Sequence, residues 1–186
     1  MRRIFLATIA GFLATAVGTA ALPAYASAPS PTIVGIASTT PGFETLTAAV
    51  TCTGLVPALN GRKHYTVFAP TNDAFAKLGV NASNVCSALP TATLKNILLY
   101  HVTRGTRLAK SLVPAEADET KTVKTLLADQ SLEINSKATI LTSSGGTSQI
   151  VATDIRASNG VIHVVDTVLM PGSDVDHREG DDQGEK

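Results

Sequence analysis

Tyr65-Thr66-Val67-Phe68-Ala69-Pro70-Thr71-Asn72-Asp73-Ala74-Phe75-Ala76-Lys77-Leu78 changes character at its centre. Tyr65 to Ala69 has the β-branched and aromatic content of a buried strand. Pro70 ends it, because proline brings no N–H to a sheet ladder. Thr71 or Asn72 can then cap a helix that runs to Leu78, with Phe75 and Leu78 predicted to face the core. Asp73, in the first turn, is expected to satisfy backbone donors at the helix start.

On the N-terminal side, Ile33 to Ala37 suits either a strand or the start of a helix. Pro41 to Thr51 reads as a helix, with Phe43, Leu46, Ala49 and Val50 on one face. Leu55 to Leu59 suggests a second short helix, stopped by Asn60-Gly61. On the C-terminal side, Pro90-Thr91 opens another helix, where Leu94, Ile97, Leu98 and His101 form an i, i+3, i+4, i+7 stripe. After Val102 the texture turns to strands at Thr122–Leu127, Ser131–Asn135, Thr139–Thr142, Gln149–Thr153 and Val161–Met170. Their turns are Asn135-Ser136-Lys137, Ser144-Gly145-Gly146 and Ser158-Asn159-Gly160, the last an Asn-Gly hairpin signal. Helices first and antiparallel strands second predict an α+β domain, not an alternating βαβ one.

The chain opens Met1-Arg2-Arg3, runs apolar from Ile4 to Leu22 and closes on Ala24-Tyr25-Ala26. These are the basic, apolar and A-x-A parts of a secretory signal, with cleavage expected at Ala26–Ser27. The alternative is a membrane anchor, but the run is only mildly apolar and Pro23 suits cleavage better. The two arginines also resemble a twin-arginine export signal. The reading divides the chain into a signal at 1–26, a linker at 27–31, a domain at 32–172 and an acidic tail at 173–186. The tail holds Asp174, Asp176, Glu179, Asp181, Asp182 and Glu185 against Arg178 and Lys186. The part between signal and tail carries 11 basic and 9 acidic side chains, so it lacks the basic excess of a nucleic-acid binder. No stable membrane insertion is expected once the signal is removed. Cys52 and Cys86 are too far apart for a CxxC motif, and an exported chain with an even cysteine count predicts a disulfide between them.

Three segments in order resemble the fasciclin domain: Tyr65 to Leu78, Leu98-Leu99-Tyr100-His101-Val102, and Ala157-Ser158-Asn159-Gly160-Val161-Ile162-His163-Val164-Val165-Asp166-Thr167-Val168-Leu169-Met170-Pro171. The resemblance covers about Thr32 to Pro171. It implies a compact antiparallel β-wedge or sandwich flanked by helices, an extracellular or surface location, and adhesion or matrix interaction as the activity. It also implies that Asp154-Ile155 and Tyr100-His101 contact a cell-surface or matrix protein. The residues flanking Asp154-Ile155 differ from the family motif. A structural reading has Ile155 in the core and Asp154 capping a turn.

Signs of catalysis are few. The chain contains no G-x-S-x-G, no H-E-x-x-H and no glycine-rich phosphate loop. His101 and His163 lie inside fold-making segments, where buried histidines that hydrogen-bond the backbone are the simpler reading. Asp73 and Asp166 could form an acid pair, but Asp166 also suits a backbone-satisfying role. No metal-ligand spacing is visible, so neither metal nor cofactor is expected. A polysaccharide partner is the second possibility, as is a small apolar ligand. Phe43, Phe68 and Phe75 are placed for the core, which leaves only Tyr65 and Tyr100 for sugar stacking. Asn81-Ala82-Ser83 is a glycosylation sequon for a eukaryotic secretory pathway.

Overall fold

The structure is a computed structural model that describes residues 30–172. The expected export signal and acidic tail lie outside the described residues. In chain order the elements are α1 (Ile33–Thr39), α2 (Glu44–Cys52), α3 (Val56–Leu59), β1 (Tyr65–Pro70), α4 (Asn72–Ala76), α5 (Val85–Ala88), α6 (Thr91–Tyr100), β2 (Val102–Arg104), α7 (Ala109–Leu112), β3 (Thr120–Lys124), β4 (Ser131–Asn135), β5 (Thr139–Leu141), β6 (Thr147–Ala157) and β7 (Gly160–Val165). The seven strands run in the order β2-β1-β7-β6-β5-β4-β3. The α+β class therefore holds.

The pairing is antiparallel throughout the second half, as the hairpin signals predict. The exception is β1, which enters between β2 and β7 and pairs with β7 in parallel, so the sheet is mixed. Every residue of β1 and of β7 is buried. Tyr65, Val67, Ala69, Ile162 and Val164 pack toward the helices. Phe68 and Val165 pack toward a second core with Leu132, Ile134 and Ile140 from the β4–β5 hairpin. Two covered faces explain why both strands are written as near-continuous apolar runs.

Several local expectations shift. Ile33–Thr39 is a helix, capped by the Thr32 hydroxyl, which accepts from Gly35 N at 3.2 Å. Thr71, not Asp73, caps α4, accepting from Ala74 N at 3.2 Å. Asn72 turns away instead and accepts from Thr45 N at 3.0 Å, tying α4 to α2. Leu78 falls beyond α4 and is 46% exposed, because the helix ends at Ala76 before a second turn can bring it inward. The final strand stops at Val165, where Asp166 leaves the ladder and its carboxylate accepts from Gln149 N at 2.8 Å.

The Asn-Gly turn is real but offset by one residue. Ala157 pairs with Gly160, so the connecting residues are Ser158 and Asn159. Asn159 is buried; its side chain accepts from Ile33 N at 2.9 Å and donates to Leu59 O at 2.6 Å. Gly160 is the first residue of β7, with φ +153°, and a Cβ there would collide with the Tyr65 carbonyl oxygen. The glycine is thus required by close approach of β1 and not by the turn itself. Cys52 and Cys86 are bonded, joining α2 to α5 with their Cα atoms 6.1 Å apart.

Candidate functional site

The three sequence segments meet around Phe68. Its N–H donates to His101 O at 2.9 Å, and its ring centroid lies 5.8 Å from that of His163. His101 terminates α6 and is buried. Its Nδ1–H donates to Ile97 O at 2.8 Å, which leaves Nε2 to accept from Leu169 N at 2.9 Å. One neutral imidazole therefore closes a helix end and fastens the segment that follows β7. Burial lowers its pKa to about 4, against the bond to Ile97 that favours the cation.

Tyr100, beside it, is also fully buried. Its hydroxyl donates to Ser131 O at 2.9 Å, accepts from Ser143 N at 2.9 Å, and lies 2.8 Å from Ser143 Oγ. The Tyr-His pair thus spans from the helical layer to the β4 and β5–β6 turns. Neither ring presents surface to a partner in this arrangement.

Asp154 lies where β6 slips register against β7, between the Ala152–Val164 and Ile155–Ile162 pairs. Such bulges re-aim side chains. Its φ is +60°, a left-handed conformation that Asp tolerates better than most residues. Asp154 N donates to His163 Nδ1 at 3.3 Å, and His163 Nε2–H donates to Arg107 O at 2.9 Å. The Asp154 carboxylate accepts from Ala109 N at 2.9 Å, at the start of α7. His163 thus uses the opposite tautomer from His101. Each histidine joins two backbone segments far apart in sequence, and neither retains a free ring nitrogen for proton transfer. Ile155 is half-buried against the helical core. Asp154 and Ile155 are therefore the members of the predicted set that reach the surface, while Tyr100 and His101 lie beneath it.

Asp166 does not meet Asp73 as an acid pair; its bonds run to Ser148, Gln149 and Thr167. Burial raises its pKa, but these bonds and the nearby Lys77 charge outweigh it and hold the carboxyl below its usual value. The five aromatic residues from Phe43 to Tyr100 are all buried. Among the described residues no group of His, Cys, Asp and Glu is placed to hold a metal, and no helix is long and apolar enough to cross a membrane. Two cavities border α2. One, of about 30 Å³, is closed in by Ile33, Leu46, Val50, Val67 and Leu98, and has room for a single water or methylene. The other is an open groove of about 610 Å³ beside the Cys52–Cys86 bond. Phe68, Arg107 and Leu169 complete the site through backbone or packing contacts, and Ser143 through its N–H and hydroxyl, none of which a residue-type pattern marks in a sequence.

The fold and these contacts define an α+β domain whose buried histidines and Tyr100 are engaged in holding backbone together. The fasciclin domain profile matches residues 41–171, and the chain belongs to the fasciclin-domain family. That family is generally non-enzymatic and is commonly involved in adhesion. The chain is 48% identical over 77 residues to Protein sll1483 of Synechocystis sp., a match covering 40% of this chain and 42% of that one. It is 37% identical over 84 residues to the transforming growth factor-beta-induced protein ig-h3 of Sus scrofa, covering 45% of this chain and 12% of that protein. The matches thus span less than half the length of these relatives. Among solved structures, a domain pair from the insect cell adhesion molecule Fasciclin I superposes with a TM-score of 0.63 at 20% identity. That match covers 76% of this chain and 51% of the other, and it shows the fold.

Proposed function

We propose that the chain is a secreted, non-enzymatic fasciclin-domain protein that mediates cell adhesion or contact with the extracellular matrix or cell surface. The observation that carries this reading is the engagement of both core histidines in backbone bonds. The family's most distinctive polar residues here build the domain, which leaves its surface to act. Asp154 and Ile155 are the proposed contact residues. Tyr100 and His101 are buried and hold the fold instead of making the contact.

Native pull-down from the source organism's surface fraction tests the reading. A protein partner supports adhesion. A glycan or an apolar small molecule supports the second reading, a polysaccharide or apolar-ligand binder, to which the groove beside the disulfide lends ligand-sized space. For the site, Asp154→Asn keeps the left-handed backbone and the cap on Ala109 while removing the charge, and Ile155→Ala trims the neighbour. Each is expected to lower attachment of folded protein about fivefold or more, the scale of a contact residue worth about 1 kcal/mol. Unchanged attachment in both removes this site.

A further inference from the structure

The near balance of charge in the sequence conceals an uneven distribution over the fold. Arg62 and Lys63 lead into β1, and Arg104 on β2 pairs with Tyr65 at the start of β1. Gly105 N donates to His64 O at 2.9 Å, folding the chain after β2 back beside that lead-in. Arg107 N then donates to Thr66 Oγ1 at 2.8 Å, and Arg107 O accepts from His163. Arg156 on β6 pairs with Val161 of β7, which pairs in turn with Thr66 of β1. Lys110 follows Ala109, whose N–H is on Asp154. Three separate stretches of the chain therefore bring Arg62, Lys63, Arg104, Arg107, Lys110 and Arg156 to one end of the central strands. All of these side chains are exposed, and none is paired with a carboxylate among the described residues. The carboxylate that the same contacts bring in is Asp154, which is half-buried and bonded to Ala109.

We propose that this end of the sheet is a docking surface for a linear acidic polysaccharide bearing sulfate or uronic acid groups. The proposal rests on the reading of the chain as a binding protein and names its partner class. Exposed cations without internal counter-ions act together on an anion within a Debye length of about 8 Å, and several along one edge favour a polymer over a single ion. The surface lacks what other polyanions use. The Phe and Tyr rings among the described residues are buried, so there no base-stacking platform accompanies the cations. The exposed large apolar side chains lie elsewhere. Val151 adjoins Ile150, which pairs with Val165 at the far end of β7; Met170 follows that end, and Leu78 follows α4. A membrane surface combines cations with inserted apolar groups, and here the two are separated.

The test is equilibrium binding of the full chain to immobilised heparin at salt of about 50 mM and about 200 mM. Vesicles containing phosphatidylserine and uncharged dextran serve as comparison surfaces. Heparin is expected to bind at the lower salt and weaken about tenfold or more at the higher. Arg104→Gln/Arg107→Gln/Arg156→Gln should weaken it about a hundredfold, at about fivefold per cation. The equal-charge variant Lys95→Gln/Lys124→Gln/Lys137→Gln should stay within about twofold of the native chain. Arg62→Gln/Lys63→Gln, outside any helix or strand, provides a second variant if the first lowers the melting temperature, and should cost about twentyfold. Absence of heparin binding at low salt, equal losses in the two triple variants, or preference for the vesicles would each overturn the proposal. If the chain ignores heparin yet captures a protein from the surface fraction, the polysaccharide surface fails while the adhesion reading stands.

Discussion

Lowering the pH from 7 to 4 should destabilise this domain through His101. In the folded chain the imidazole is neutral, with Nδ1–H on Ile97 O and Nε2 accepting from Leu169 N. A proton on Nε2 would point at that N–H, in a buried site. The folded pKa is about 4 against 6.5 for the free side chain. Because the folded value is depressed, the unfolded chain binds the proton first. Stability is therefore fully present above pH 6.5 and is lost as pH falls toward 4. The shift corresponds to about 3 kcal/mol at about 1.4 kcal/mol per pH unit. That is a large share of the roughly 5–15 kcal/mol typical of a domain. Urea unfolding at half-unit pH steps measures it. The native chain should lose about 3 kcal/mol across this window. His101→Gln should be about 2 kcal/mol less stable at neutral pH, because Ile97 O or Leu169 N loses its partner, and should show a flatter profile. If the two profiles run parallel between pH 6.5 and 4, another group titrates in this window and the reasoning fails.

Two further substitutions test the architecture. Gly160→Ala places a Cβ against the Tyr65 carbonyl and 2.9 Å from Ile33 Cδ1; spreading β1 from β7 should cost about 3 kcal/mol or more, and a melting temperature within a degree or two of native would contradict it. Cys52→Ser/Cys86→Ser releases a 34-residue separation and should cost about 3–4 kcal/mol in chemical denaturation; two free thiols in the denatured, unreduced native chain would show the bond to be missing.

Local elements were largely legible in the sequence. Pro70 and Thr71 announce the end of β1 and the start of α4, and the spacing of Leu94, Ile97 and Leu98 marks the buried face of α6. These signals depend on neighbours a few residues apart, where propensity and periodicity act. Leu78 misled because helical spacing does not reveal that the helix stops at Ala76. Gly160 reads in the sequence as a turn residue, although its constraint comes from Tyr65, 95 positions earlier, through a parallel pairing that no hairpin pattern contains.

The sequence by itself determined the α+β class, the helices-first and strands-second arrangement, the Cys52–Cys86 pairing and the segments that build the core, because burial periodicity and cysteine chemistry are written in residue type and order; it did not mark α5, β2 or α7. The tertiary structure alone decided that β1 lies between β2 and β7, and that the two histidines adopt opposite tautomers. It also decided that the Tyr-His pair lies beneath the surface and that six cations scattered from Arg62 to Arg156 share one end of the sheet. The physical reason is common to all four: each depends on which distant backbone groups come within hydrogen-bond reach, and composition, which sees only 11 basic against 9 acidic side chains, averages that information away.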